Sequence, residues 1–125
     1  MPFMLKVLAE EGYVLLEHHG HVPSDEVREA RAALLDAAAR EKFGRVLIDW
    51  SAASGVPPVA DFYFILSETR ITLDVRGKCA LLTPESSRSV ADFVETAGRN
   101  RGFRIKAFTS REAAIEWLFR ADDSH

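Results

Sequence analysis

The residues with the chemistry to act on another molecule gather behind one apolar run. Asp49, Trp50, Ser51 and Ser54 lie in Leu47-Ile48-Asp49-Trp50-Ser51-Ala52-Ala53-Ser54-Gly55-Val56-Pro57-Pro58, with a second carboxylate, Asp61, just beyond. A carboxylate beside a serine could begin a hydrolytic site, in which the acid side chain helps to draw a proton from the hydroxyl. A small hydrolase using Asp49 with Ser51 or Ser54 is therefore the alternative to keep. Against it, the stretch has no histidine base and no Gly-x-Ser-x-Gly elbow. An aspartate closing a strand and another in the first turn of a helix also have structural explanations. No catalytic residue is assigned.

The same small residues serve recognition better, because they let a ligand or partner come close to the backbone. Ser86, Ser87 and Ser89 offer hydroxyls from a second connection expected at the same sheet edge. The plainer account is two ordinary turns with helix caps.

Three consecutive rings, Phe62-Tyr63-Phe64, add a geometric argument. On a helix they point about 100° apart and cannot all enter one narrow core stripe. At least one is surplus to the interior, which with Trp50 nearby implies an apolar surface for a homodimer, a protein partner or a small apolar ligand. The competing account is a broad helix face packed within the monomer.

Other reactive side chains are weaker candidates. His18 and His19 would face opposite sides of a strand, and no second cluster supplies further ligands for a metal near His19 and His21, so solvated strand-end histidines and no metal are expected. Cys79, the single cysteine, sits in the apolar run Cys79-Ala80-Leu81-Leu82 and reads as a small buried hydrophobe. Arg99, Arg101, Arg104, Lys106 and Arg111 form a stretch with no acid between Glu95 and Glu112. It could meet an anionic ligand, but charges guarding an exposed sheet edge explain it more simply.

The elements that must position these groups follow from periodicity. Phe3 to Ala9 and Tyr13 to His19 flank Glu10-Glu11-Gly12 and predict an antiparallel hairpin. Ser24 can cap a helix carrying Val27, Ala30, Leu34 and Ala38 on one face, and Gly44 ends that segment. Val46-Leu47-Ile48 is a strand covered on both faces, ending at Asp49. A second helix from Val59 carries Phe62, Leu66, Thr69 and Leu73. Cys79 to Leu82 is another buried strand, and Ser86 to Ala97 a helix. Phe103 to Phe108 alternates apolar with basic residues, as an edge strand does. Thr109-Ser110-Arg111-Glu112 is a capping box opening a last helix, with Ala113, Ala114, Trp117 and Leu118 inward.

This order predicts an α/β fold: a single mixed sheet, with an N-terminal antiparallel hairpin followed by parallel strands and alternating helices. The 125 residues suffice for one core, taken as a single domain over 1–119 with a frayed tail at 120–125. A composition 47% hydrophobic and 28% charged is that of a globular chain, and the net charge of −3 gives no reason for a nucleic-acid partner. No apolar run approaches the ~20 residues of a membrane span, and no signal peptide is evident, so a cytoplasmic protein is expected.

The arrangement, and above all the ending Phe108-Thr109-Ser110-Arg111-Glu112-Ala113-Ala114-Ile115-Glu116-Trp117-Leu118, resembles the SpoIIAA-like group of STAS-related domains. Val46-Leu47-Ile48-Asp49 and the strand from Cys79 to Thr83 fit the same pattern. The resemblance implies a non-catalytic regulatory module that binds proteins and, in some members, nucleotides or lipids; no cofactor is expected. Anti-sigma-factor antagonists of that group carry an Asp-Ser-Ser-Gly-like motif with a phosphorylated serine where the chain enters the second helix. Here Pro57, Pro58, Val59 and Ala60 occupy that place, so the serine switch is not carried over. The expected site is Asp49, Trp50, Ser51, Ser54, Phe62, Tyr63, Phe64 and Ser86, a recognition rim for a protein partner, a second copy, or a small apolar or anionic ligand.

Overall fold

The computed structural model describes residues 3–41, 44–67 and 77–120. Strands β1 (Phe3–Leu8) and β2 (Tyr13–His21) form the expected hairpin, followed by α1 (Ser24–Glu41), β3 (Arg45–Gly55), α2 (Val59–Ser67) and β4 (Lys78–Leu82). A short 3-10 turn (Glu85–Ser87), α3 (Arg88–Asn100), β5 (Arg104–Phe108) and α4 (Arg111–Phe119) complete the chain. The sheet order is β1-β2-β3-β4-β5, with β1 antiparallel to β2 and the other neighbours parallel. Gly12 takes φ +84° at the hairpin, and its N–H closes the turn on the Leu8 carbonyl at 2.7 Å.

Alternation along the strands sorts the core into two layers. Val14, Leu16, Trp50, Leu81, Ile105 and Ala107 face α1, α2 and α3, where they meet Ala30, Leu34, Phe62, Ile65, Ala91 and Val94. Tyr13, Leu15, Leu47, Ala80 and Leu82 face α4 and its Ala114 and Leu118. Burial on both sides explains why β3 and β4 begin as unbroken apolar runs. In α1 the predicted stripe holds at Ala30 and Leu34, both buried. Phe62 begins the α2 stripe; Thr69 and Leu73, assigned to it from sequence, lie outside the described residues, as do residues 121–125 of the expected tail.

Several local expectations are corrected. Ser24 does not cap α1: the Glu26 and Val27 N–H groups bond to the Pro23 carbonyl, and the Ser24 hydroxyl donates to Asp61 of α2 at 2.8 Å. The α4 cap is one-sided, with Ser110 accepting the Ala113 N–H. Helix α3 starts at Arg88 because Glu85 to Ser87 wind into the 3-10 turn.

Helix α3 reaches the sheet through Gly98, where an added Cβ would stand 2.6 Å from Cγ2 of Ile105. That methyl branches from Cβ and has little room to swing away. Gly98→Ala is expected to destabilise the chain by about 1–3 kcal/mol through overpacking, although alanine is the better helix former. A urea unfolding series checks this, and an unchanged midpoint would refute the close approach.

Candidate functional site

The stretch expected to be a loop after Asp49 is strand. Register runs Glu17↔Asp49, His19↔Ala52, Gly20↔Ala53 and His21↔Gly55, so β3 carries one extra residue before Ala52 and another before Gly55. Both behave as bulges. The neighbouring β4 ends with Leu82 opposite Asp49. Beyond that point β3 is paired by β2 alone, and the two project as an arm from the carboxyl edge of the sheet.

Asp49 sits at the root of this arm, buried, with both oxygens engaged. Oδ1 accepts the Ser51 N–H at 2.8 Å and the Ser51 hydroxyl at 2.5 Å, while Arg111 Nη1 donates to Oδ2 at 3.1 Å. The first contact is an Asx turn that shapes the bulge, and the second ties the first residue of α4 to β3. This geometry orients backbone. The Ser51 hydroxyl already donates to a carboxylate held by a guanidinium, and no imidazole is bonded to it. Register does bring His19 beside Ala52 and His21 beside Gly55. Histidines judged remote from this edge in sequence therefore flank it in space.

Consecutive residues in a strand face opposite ways, so Trp50 leaves Asp49 and points beneath α2. It is 3% exposed and its ring centroid lies 5.6 Å from that of Phe62, which is equally buried. Tyr63 and Phe64 turn outward, 56% and 60% exposed, with centroids 5.6 Å apart in an edge-to-face pair. Val59, one turn earlier, is exposed as well. Ser54 is exposed on the arm, and Ser86 is exposed in the 3-10 turn.

The expected site is thus not a single cluster. Asp49 and Ser51 face the α4 side, Trp50 and Phe62 are interior on the other side, and Tyr63 with Phe64 forms a surface that those two support from below. Trp50 and Phe62 position that surface and are not part of it.

Sequence reasoning missed His18. Expected at a solvated strand end, it is 2% exposed, and its Nδ1 donates at 2.6 Å to Oε2 of Glu26, itself 4% exposed, in the first turn of α1. The Phe3 ring lies 6.2 Å away. Neither the spacing of eight residues nor a local pattern signals this pair.

The basic stretch is largely engaged in contacts within the chain. Arg99 Nε donates to the Ile105 carbonyl at 3.1 Å, Arg111 holds Asp49, and Lys106 Nζ lies 5.6 Å from the centre of the Phe108 ring. Burial pushes the Cys79 thiol up to about 12, so the thiolate is scarce at neutral pH and the residue acts as core. Among the described residues, no group of three or more His, Cys, Asp or Glu side chains converges as a metal site would require. No helix among them is long and apolar enough to cross a membrane.

The sequence matches no family model and no curated protein. Solved structures do match in shape. That of the anti-sigma factor antagonist SpoIIAA in its unphosphorylated form superposes with TM-score 0.57 at 20% identity, covering 93% of this chain and 96% of the other. The fold is SpoIIAA-like. A crystal structure of an uncharacterized DUF3478 protein with the SpoIIAA-like fold, from Shewanella loihica, agrees with TM-score 0.53 at 18% identity over 93% of this chain and 91% of that one. Within the SpoIIAA-like frame, the entry to the second helix is here Pro57-Pro58-Val59-Ala60, and the exposed rings stand one turn further along α2.

Proposed function

We propose that this chain is a non-catalytic regulatory module that binds a protein partner on the outer flank of α2, with the strand-end arm at its rim. The observation that carries this reading is the pair Tyr63 and Phe64, both more than half exposed beside exposed Val59. Large rings left in water on a short helix represent apolar surface that a partner can cover, and aromatic residues dominate the energetics of such contacts. Trp50 and Phe62 stiffen the patch from beneath, which lowers the ordering cost of binding. One similar structure is that of an anti-sigma factor antagonist, and the shared fold is compatible with a regulatory, protein-binding role here.

A small apolar or anionic ligand has less support. The Ser51 hydroxyl and Arg111 are both turned onto Asp49 on the α4 side of the sheet, away from the rings.

A photo-crosslinking phenylalanine analogue placed at position 64 should yield one discrete adduct in the native host. Tyr63→Ser should weaken capture by about 2 kcal/mol, or roughly 30-fold, if Tyr63 is a central anchor. Melting of the Tyr63→Ser chain should be nearly unchanged, since the side chain is exposed. The same analogue at exposed Glu112 supplies the control. Equal labelling from both positions, or none from position 64, would overturn the reading.

A further inference from the structure

The two edges of the sheet are finished differently. On β5 the outward backbone groups belong to Ile105 and Ala107, and α3 closes them. Arg99 donates to the Ile105 carbonyl at 3.1 Å, and Glu95 accepts the Ala107 N–H at 2.6 Å. No strand can add there without displacing both.

The outward set of β1 follows from the ladder. The Lys78 N–H donates to the Gly44 carbonyl, so Gly44, Val46 and Ile48 bond toward β4, and Arg45, Leu47 and Asp49 toward β2. Across the register Leu15↔Leu47, Val14 and Leu16 then bond to β3, which leaves Tyr13, Leu15 and Glu17 for β1. Their partners Leu8, Lys6 and Met4 are the inward set, and the Leu8 carbonyl that accepts from Gly12 agrees. Phe3, Leu5 and Val7 therefore turn their N–H and C=O groups away from the sheet. Among the described residues no side chain caps them.

We propose that β1 is a self-association edge, on which a second copy of this chain adds its own β1 antiparallel with Leu5 opposite Leu5 across a two-fold axis. A two-fold that reverses the strand keeps each face of the sheet on its own side, so opposed residues must differ by an even number. Centring on Met4 leaves Val7 without an opposite residue within β1. Centring on Lys6 leaves Phe3 without one and brings two ammonium groups face to face, which is destabilising. Centring on Leu5 lets all three outward residues of each strand bond. It sets Phe3 against the partner's Val7, an aromatic and β-branched pair that covers a valine 40% exposed in the single chain. Lys6 keeps its own Glu17 at 3.2 Å and lies opposite the partner's Met4. This self-complementarity selects a second copy over an unrelated strand. The edge is distinct from the α2 flank, so the two readings stand or fall separately.

Sedimentation velocity over a concentration series of the intact chain tests it, with Met4→Glu, Met4→Lys and Val7→Pro. A reversible dimer is expected. Met4→Glu, facing the partner's Lys6, should tighten it and Met4→Lys should loosen it, each by roughly threefold or more because symmetry doubles the pair. Val7→Pro should give a folded monomer, since the lost N–H has no partner within the chain. Should Val7→Pro fail to fold, the opposite responses of the two Met4 variants decide. A monomer at every concentration would overturn the proposal, as would equal dimerisation of both Met4 variants. A dimer abolished by Tyr63→Ser and indifferent to Met4 would overturn it too, by placing the contact on α2.

Discussion

His18→Leu will destabilise the chain by about 3–5 kcal/mol, because it leaves the Glu26 carboxyl group buried without its hydrogen-bond partner. Glu26 is only 4% exposed, and its carboxyl meets the His18 imidazole at 2.6 Å within the interior. Taking both groups out of water is costly, and only their attraction at close range offsets that cost. Removing one partner keeps the cost and loses the attraction. The double variant His18→Leu with Glu26→Leu should recover most of the loss, since two apolar side chains beside Phe3 need no compensation. Chemical denaturation of the two single variants and the double gives the coupling directly. Additive losses would show that the pair is not the unit the geometry implies.

How far the sequence discloses this molecule depends on whether a residue's neighbours are near it in the chain. The unbroken runs at Val46 to Ile48 and Cys79 to Leu82 disclose strands covered on both faces, because helices lie on both sides of the sheet there. Alternation in β5 discloses an edge strand, with Ile105 and Ala107 inward. The steric argument on three adjacent rings discloses that at least one must lie outside the core, but not which: Tyr63 and Phe64 are outside, while Phe62, counted with them in the expected rim, is inside.

What fails is whatever depends on distant partners. The distal half of β3, Trp50 to Gly55, has no apolar alternation and two bulges, and is a strand only because β2 runs beside it. Taken for a loop, it hides the simple consequence that Asp49 and Trp50 face opposite sides. His18 fails for the same reason. A histidine near a turn reads as solvated until the first turn of α1 folds its glutamate over it. Arg99 and Glu95 look like surface charge on a helix, yet they terminate the backbone ladder of β5.

Trp50→Ala is expected to cost about 3–5 kcal/mol, and to abolish partner capture only by loosening the fold beneath the exposed rings. The indole is 3% exposed and fills the space between β3 and α2, with the Phe62 ring at 5.6 Å and Leu81, Ala91 and Val94 in the same cluster. Truncation leaves a cavity that the rigid sheet side cannot collapse to fill. Tyr63→Ser, by contrast, removes a ring from water and should leave the unfolding midpoint within the small range typical of surface changes. The pair of variants separates support from contact. Denaturant midpoints and capture strength measured side by side should move together for Trp50→Ala, while only capture moves for Tyr63→Ser. If Trp50→Ala keeps the wild-type midpoint while capture fails, the tryptophan meets the partner itself and its place in the core is misread.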